Sequence, residues 1–245
     1  MKGLDKRWSI YIDIEGFGSL YDKEDTVLLA LGDLMEGIYA IGLNCFPETP
    51  HRLFAHQTGD GFVIVSEFYS DSLEVPAAIA IALLRHISVR GRFAKAAISE
   101  GEFAGIDGCY PKRVRDAKNA DGRVFMGHGL MTTFPVMGTA LINAVAIANS
   151  SPSGAILTLA KVNSTRLPEG CIVHKMQGSE IVSIDWVHSE FSKLAEIQER
   201  AGLHTPDKDK LRNIFAGYFY TQKVKEEWKA NTNWLLSLGI PANDA

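Results

Sequence analysis

Residues 8–19, WSIYIDIEGFGS, decide the fold, together with the helix that follows them. Trp8 and the three isoleucines of residues 8–14 fall on alternate positions, which is the two-residue period of a strand with one buried face. The glycines after this segment interrupt the strand. Apolar residues then recur every three or four positions over residues 24–43, as on an amphipathic helix. The sequence therefore predicts a strand, a glycine-containing turn and a long helix.

The rest of the first hundred residues continues this pattern. Residues 52–56 and 62–68 are apolar runs separated by QTGDG, which predicts a β-hairpin with a glycine-flanked tip. A second helix is predicted over residues 72–89, ended by Gly91, and a further strand over residues 93–98. The element order βαββαβ predicts the α+β class, with a ferredoxin-like core and an antiparallel sheet.

Strands and then helices are predicted for the second half of the chain. Residues 140–147 are so apolar that they predict a helix buried on most sides, and residues 155–160 and 171–187 predict strands. Three short amphipathic helices follow, predicted over residues 189–201, 207–220 and 224–238. We expect residues 1–187 to form one domain and residues 188–245 to be a C-terminal helical extension packed on it. Trp228 and Trp234 on the last helix would otherwise expose a large apolar area.

Composition narrows the class of partner and the compartment. With 25 Lys+Arg against 29 Asp+Glu the net charge is -4, which argues against a nucleic-acid partner. The three cysteines are far apart, so they indicate neither a disulfide framework nor a cysteine zinc site, and they fit a reducing compartment. The N-terminus lacks the features of a signal peptide, and the longest apolar run, residues 75–84, is shorter than the ~20 residues that span a bilayer. We expect a cytoplasmic protein without a membrane partner.

Two carboxylates stand out by their positions. Asp13 lies near the end of the first strand and Asp60 at the hairpin tip, and a βαββ arrangement can bring these two points to one edge of the sheet. The two charges would repel unless a cation joined them, which is how Mg²⁺ or Mn²⁺ holds the phosphates of a substrate. The turn of Gly16, Phe17 and Gly18 can direct backbone N–H groups at an anion. Each aspartate alone is also typical of a turn. Their joint spacing predicts a nucleoside-triphosphate site.

The same residues carry a resemblance to a known family. DIEGFGS at residues 13–19 and HQTGDGFVIVSEF at residues 56–68 resemble the metal-binding motifs of the class III nucleotidyl cyclases. Residues 97–101 and 138–144 resemble later family motifs more loosely, and the resemblance covers roughly residues 7–160. It implies a catalytic domain that works as a homodimer.

The resemblance also implies the site residues and the cofactor. Asp13 and Asp60 would be the catalytic residues, and with the backbone carbonyl of Ile14 they would bind two ions, Mn²⁺ or Mg²⁺. Phe17 stands where the family has a phenylalanine in this loop.

The chain departs from the family where purines are recognised. Adenylate-type enzymes contact the base with a lysine and an aspartate, and the corresponding positions here are His56 and Pro135. Ile142 and Ala146 stand where the family has an asparagine and an arginine that stabilise the transition state. The metal-binding half of the site is retained, but the purine-reading half and the transition-state arginine are absent, so a standard adenylate or guanylate cyclase is disfavoured.

The stand-alone architecture and the helical tail are similar to the prokaryotic pyrimidine cyclases of Pycsar anti-phage defence. This implies conversion of UTP, or CTP, to a 3′,5′-cyclic monophosphate that activates a separately encoded effector. His56 is then a candidate base contact, and Lys95 a candidate for the missing cation. The other candidate cations are Arg92, Lys112, Arg113 and Arg115. Two alternatives stay open: a cyclase for ATP or GTP, and a catalytically inert dimeric module that binds a nucleotide or nothing and acts through contacts.

Overall fold

The computed structural model of the chain describes residues 6–16, 24–49, 51–119, 122–133, 136–176, 178–222 and 224–241. Within them the strands are β1 (Lys6–Ile14), β2 (Leu53–Thr58), β3 (Gly61–Ser66), β4 (Ala94–Glu102), β5 (Ala104–Gly105), β6 (Arg123–Met126), β7 (Gly129–Thr132), β8 (Val136–Met137), β9 (Leu157–Ala160), β10 (Val173–Lys175) and β11 (Ile181–Ile184). The α-helices are α1 (Glu24–Cys45), α2 (Glu74–Ser88), α3 (Lys112–Asp116), α4 (Thr139–Ser150), α5 (Ser192–Ala201), α6 (Lys208–Thr221) and α7 (Glu226–Leu235).

The main sheet has seven strands in the order β10-β11-β9-β4-β1-β3-β2. Its neighbouring strands are antiparallel except β4 and β9, which run parallel. β5 with β8 and β6 with β7 form two small two-stranded sheets. The order β1-α1-β2-β3-α2-β4 confirms the predicted α+β class and its mostly antiparallel βαββαβ core.

Helices cover both faces of the main sheet. Trp8, Ile10, Ile12 and Ile14 of β1 are buried in one core with α1 and α2, as their alternation predicts. α4 lies on the opposite face, where the Ser9 hydroxyl donates to the carbonyl of Ala140 at 2.6 Å. This close approach requires Gly101 in β4, since a Cβ there would overlap the backbone at the start of α4.

The predicted burial of α4 is wrong. Ala140, Ala144 and Ala148 are its buried residues, whereas Ile142 is 66% exposed. The alanines recur every four residues and form the narrow face that packs on the sheet, so the larger apolar side chains of this helix lie on its other faces.

The C-terminal helices pack on the rest of the fold. α5 contacts α1 and α2, and the ring of Phe215 in α6 stacks on Phe93 just before β4, with 4.2 Å between centroids. Trp228 is buried as expected, but Trp234 is 58% exposed. The division at residue 187 stays a prediction.

One described helix is long and apolar enough to cross a membrane by length and composition. It is the Leu28–Cys45 part of α1, with a mean hydropathy of 1.3 and 22% of the segment buried. Ala30, Leu34 and Ile41 of this segment belong to the core beneath the sheet. The lack of a membrane partner stays a prediction.

Candidate functional site

Asp13 and Asp60 come together where β1 ends beside the β2–β3 turn. Asp13 pairs in register with Gly61, the residue after Asp60. Burial, and next the negative charge of Asp60, raise the pKa of Asp13 to about 6, against the opposing effect of the Tyr11 hydroxyl. The two carboxylates are therefore close enough to repel each other, as their spacing in the sequence predicts.

The surroundings of Asp13 fit a divalent cation. Its Oδ1 is buried and accepts no hydrogen bond from the described residues. A Cβ on Gly61 would lie 2.6 Å from the carbonyl oxygen of Ile12 and 3.0 Å from Oδ1 of Asp13, so only glycine leaves this space open. A buried carboxylate oxygen without a donor costs free energy unless a cation or water satisfies it.

The available ligands suit Mg²⁺ or Mn²⁺ better than zinc. Among the described residues no group of three or more His, Cys, Asp or Glu side chains could hold a metal ion. The two carboxylates, with the Ile14 carbonyl that the family resemblance implies as a further ligand, would form an all-oxygen set, and Mg²⁺ is usually held by one or two carboxylates, substrate phosphates and water.

Lys95 lies directly beside Asp13 on the same face of the sheet. The ladder places Thr58, Gly61, Asp13 and Lys95 in one row across four strands. The Lys95 amine donates to the carbonyl of Ser151 at 2.9 Å. Burial lowers the pKa of Lys95, while the negative charges of Glu15 and then Asp13 raise it. Lys95 is thus a cation next to the paired carboxylates.

The other candidate cations have different partners or settings. Arg92 pairs with Asp33 of α1, and Lys112 pairs with Asp116 within α3. Arg113 and Arg115 are exposed on the short helix α3.

His56 lies on the same face of the sheet as Asp13 and Lys95, in the next row of paired residues away from the end of β1. It is in register with Val63, which is in register with Tyr11. Its ring is parallel to that of Phe54 within 5°, at a centroid distance of 6.5 Å. Burial lowers the pKa of His56, which favours the neutral imidazole.

A groove opens between α4 and the β2–β3 hairpin, next to these rows. Its volume is about 420 Å³, and its lining is Thr58, Val63, Leu141, Ile142, Val145, Ala146 and Asn149. This lining contains no charged side chain. Asn143, one position from Ile142, instead donates to the carbonyl of Glu100 at 2.8 Å. Ile142 and Ala146 therefore give the groove an apolar wall at the two positions where the resembling family has polar groups.

The predicted glycine loop is only partly described. Gly16 is exposed and has a φ of 87°, a backbone conformation that favours glycine. Phe17 and Gly18, and also Pro135, lie outside the described residues.

Sequence reasoning missed Glu15. Burial raises the pKa of Glu15, whereas the Trp228 indole and then the Lys95 ammonium lower it. Its two-residue spacing from Asp13 could have placed it near the site, but no local pattern connects it to Trp228, more than two hundred residues later.

No protein-family profile matches the chain, and no curated protein matches it in sequence. Solved structures do resemble it. The guanylyl cyclase domain of the RhoGC fusion protein from Blastocladiella emersonii is 9% identical, with a TM-score of 0.45 over 74% of this chain and 93% of that one. The guanylate cyclase domain of RhGC from Catenaria anguillulae, in complex with GTP, is 9% identical, with a TM-score of 0.44 over 74% and 96%. A class III adenylyl cyclase-like ATP-binding protein from Pseudomonas aeruginosa is 14% identical, with a TM-score of 0.43 over 79% of this chain and 40% of that one.

Proposed function

We propose that the chain is a metal-dependent nucleotide cyclase that converts UTP, or CTP, to the 3′,5′-cyclic monophosphate and pyrophosphate. The observation that carries this proposal is the meeting of Asp13 and Asp60 around a buried carboxylate oxygen that accepts no hydrogen bond from the described residues. An inert module gains nothing from two repelling carboxylates in a cradle kept open by Gly61.

In the proposed reaction the ribose 3′-oxygen attacks the α-phosphorus. The bond from that phosphorus to the oxygen bridging to the β-phosphate breaks, pyrophosphate leaves, and the 3′-hydroxyl proton passes to solvent. Two bound Mn²⁺ or Mg²⁺ ions would lower the pKa of the 3′-hydroxyl and neutralise developing charge. Asp13, Asp60 and the carbonyl of Ile14 would hold them. The chain itself supplies positioning and electrostatics, and no protein nucleophile is required.

Lys95 and the glycine turn would bind the triphosphate. The Lys95 ammonium lies beside Asp13, and the turn of Gly16, Phe17 and Gly18 would offer N–H groups to phosphate oxygens.

The size and the uncharged lining of the groove beside α4 favour a neutral nucleobase as its ligand. About 420 Å³ is within the usual size of small-molecule sites. Thr58 and Asn149 are its hydrogen-bonding side chains, and His56, whose pKa is lowered by burial, lies one row from Asp13 on the same face. The lysine and aspartate with which the resembling family reads purines are absent, which favours a pyrimidine.

The proposal includes a homodimer. Large apolar side chains are exposed on the β6–β7 hairpin, on β8 and on α4, the last in the wall of the groove. They are Phe125, Met126, Leu130, Met137 and Ile142. Exposed apolar side chains of this size favour a partner surface. We also propose that the protein is cytoplasmic, which agrees with its three free cysteines, and that the cyclic product activates a separately encoded effector in anti-phage defence.

The test is incubation of the purified full chain with Mn²⁺ and each of ATP, GTP, CTP and UTP, with mass-spectrometric detection of cyclic monophosphate. A cyclic pyrimidine is the expected product. A cyclic purine product would mean that the substrate is ATP or GTP and that the proposed reaction still holds. No product from folded, dimeric protein would favour the inert module.

Asp60→Asn should abolish product formation while the fold persists, because the site loses one of its two carboxylate ligands. Asp209→Asn, an exposed carboxylate in the first turn of α6, is the matched control and should retain full activity. Full activity of Asp60→Asn would show that the metal-site assignment is wrong.

A further inference from the structure

β2 is an outer strand of the main sheet, and within the described residues no strand pairs with its free edge. The carbonyl of Arg52 accepts from the N–H of Glu67 at 3.0 Å, so residues 52 and 67 form a hydrogen-bonded pair. Bonded and non-bonded pairs alternate along an antiparallel ladder, which directs the N–H and C=O groups of Leu53, Ala55 and Gln57 away from β3. These three outward positions are open to a further strand.

The composition of β2 does not protect this edge. Edge strands usually carry charges, prolines or bulges, or are very short, because their free backbone groups otherwise pair with another chain. β2 has six residues and contains no Asp, Glu, Lys, Arg or Pro. β10, at the other edge of the sheet, has three residues and ends in Lys175. The contrast indicates that another chain covers the β2 edge.

The solvent-facing side of α1 extends this edge as an apolar surface. Five of its large side chains are 47–69% exposed, namely Leu28, Leu29, Met35, Tyr39 and Leu43. A groove of about 400 Å³ separates them from β2, and its lining includes Tyr39 and Leu43 of the helix and Leu53 and Ala55 of the strand. Over residues 35–43 the only charged residue is Glu36, and charge is depleted at the centre of protein interfaces. We call this surface the α1–β2 face.

A second copy of the chain fits the α1–β2 face. The outward positions of β2 are symmetric about Ala55, so antiparallel pairing with β2 of the second copy would join Ala55 to Ala55 and Leu53 to Gln57. The two-fold axis would be perpendicular to the sheet. Both α1 helices would then lie on the same side of the joined sheet, where their exposed apolar side chains can meet across the axis. The face is therefore self-complementary, as a two-fold contact requires.

We propose that the chain self-associates through the α1–β2 face, by antiparallel pairing of two β2 edges with the α1 helices packed beside them. This contact shares no element with the apolar surface on β6–β7, β8 and α4 that the proposed homodimer uses. Two separate two-fold contacts on one chain would make the full assembly larger than a dimer. The inference does not depend on the proposed reaction.

Sedimentation equilibrium of the full chain at several concentrations measures the association. Ala55→Pro removes one outward N–H and leaves the hydrogen bonds to β3 in place, so the variant should fold. We expect it to weaken the association about 10- to 100-fold, as for loss of the central pair of hydrogen bonds. Ala55→Ser keeps the N–H and is the matched control, which should associate like the wild type.

Tyr39→Glu tests the helix side of the contact. It places a charge in the apolar surface and should weaken the association by at least as much, because the carboxylate would lose its water without gaining a partner. Tyr220→Glu is the matched control, since Tyr220 of α6 is 82% exposed and lies outside the α1–β2 face. It should leave the association unchanged.

Hydrogen exchange at single-residue resolution tests the strand pairing directly. The amides of Leu53, Ala55 and Gln57 should be protected in the assembled wild type and exchange rapidly in Tyr39→Glu. The amides of Phe54 and His56 donate to β3 and should stay protected in both, because protection follows hydrogen bonding. The expected change is therefore confined to alternate residues of one strand.

Thermal unfolding establishes that each variant is folded, and if Ala55→Pro is not, Tyr39→Glu with hydrogen exchange carries the comparison. Folded variants that associate as tightly as the wild type, or outward amides that exchange rapidly in the wild type, would overturn the inference. A wild-type chain that stays at 26.9 kDa at every concentration would also overturn it. Tyr39-dependent sedimentation of such a monomer with phosphatidylcholine–phosphatidylglycerol vesicles would assign the face to a lipid surface instead.

Discussion

Gly61 follows Asp60 at the hairpin tip and lies directly across the ladder from Asp13. Because a Cβ at this position would meet the backbone carbonyl of Ile12 at 2.6 Å, the two strands must separate to admit one. We expect Gly61→Ala to destabilise the fold by roughly 1–3 kcal/mol, as for other overpacked sites. Mn²⁺ affinity should fall with it, because the two carboxylates move apart.

The control for this variant is Gly42→Ala. Gly42 lies in α1 with nothing within 4 Å of its Cβ position, so alanine there should be neutral or stabilise by about 0.5–1 kcal/mol. Chemical denaturation and Mn²⁺ titration measure both variants. Equal stabilities would contradict the close contact at Gly61.

The raised pKa of Asp13 links stability to pH in the metal-free protein. The folded pKa is about 6 and the ordinary value is 3.8, so the folded state binds the proton more tightly than the unfolded state. The contribution of this group to stability is therefore fully present below pH 4 and is lost as pH rises from about 4 to about 6. After allowance for solvent screening, the loss is on the order of 1–2 kcal/mol.

Urea unfolding across this pH range, compared with Asp13→Asn, measures the effect. The variant lacks the titrating group, so the difference in unfolding free energy between wild type and variant should change across this window and be flat above it. Added Mn²⁺ should remove the effect, because the metal competes with the proton. Parallel wild-type and variant curves would exclude a raised pKa at Asp13.

At the scale of elements, local periodicity predicts structure where the two faces of a strand differ in polarity. Residues 8–14 alternate because the apolar side chains of β1 pack on α1 and α2, while Ser9 lies on the other face against α4, and the predicted strand agrees with Lys6–Ile14. The same reasoning failed for α4, because apolar content does not show which side of a helix is covered. The alanines at positions 140, 144 and 148 carried that information through their spacing and small size.

The candidate site also has one part that local sequence patterns predict and another part that they do not. Asp13 and Asp60 could be found because each lies at the end of a locally predictable strand or turn, and the sheet brings those ends together. The hydrogen bond of Lys95 to Ser151, and the packing of Trp228 on Phe93, depend on distant segments of the chain. No local pattern in the sequence specifies such contacts.

Arg85 connects α2 to the segment that leads into the C-terminal helices. Its side chain is 4% exposed and donates to the carbonyls of Trp186, Val187 and Ser189 at 2.7–3.1 Å. Arg85→Met leaves these carbonyls without their donor, so we expect a loss of about 3 kcal/mol or more.

Arg90→Met is the matched control. Arg90 is exposed and pairs with Asp33, which keeps Arg92 as a second partner, so the loss of Arg90 should cost at most about 1 kcal/mol. Denaturant unfolding of both variants gives the comparison. Similar losses would mean that the buried guanidinium does not hold the two elements together.

At the scale of the whole molecule, residue 187 marks a change of secondary structure within one continuous core. Phe215 of α6 is fully buried and contacts Phe93 and Trp186, whose ring centroids lie 4.2 and 5.7 Å from its own. The sheet and the helical extension therefore share apolar contacts across the predicted boundary.

We expect the full chain to unfold in one cooperative transition, and residues 1–187 alone to lack a stable fold. Removing the extension would expose Phe93 and Trp186 and would take away α7, which is hydrogen-bonded to the loop whose Ser151 carbonyl accepts from Lys95. Far-ultraviolet circular dichroism and tryptophan fluorescence should give coincident urea curves for the full chain, since two-state unfolding requires agreement between probes. Two separated transitions, or a fragment that melts cooperatively, would instead show an independent domain, and α7 would then be an attachment to a site that forms without it.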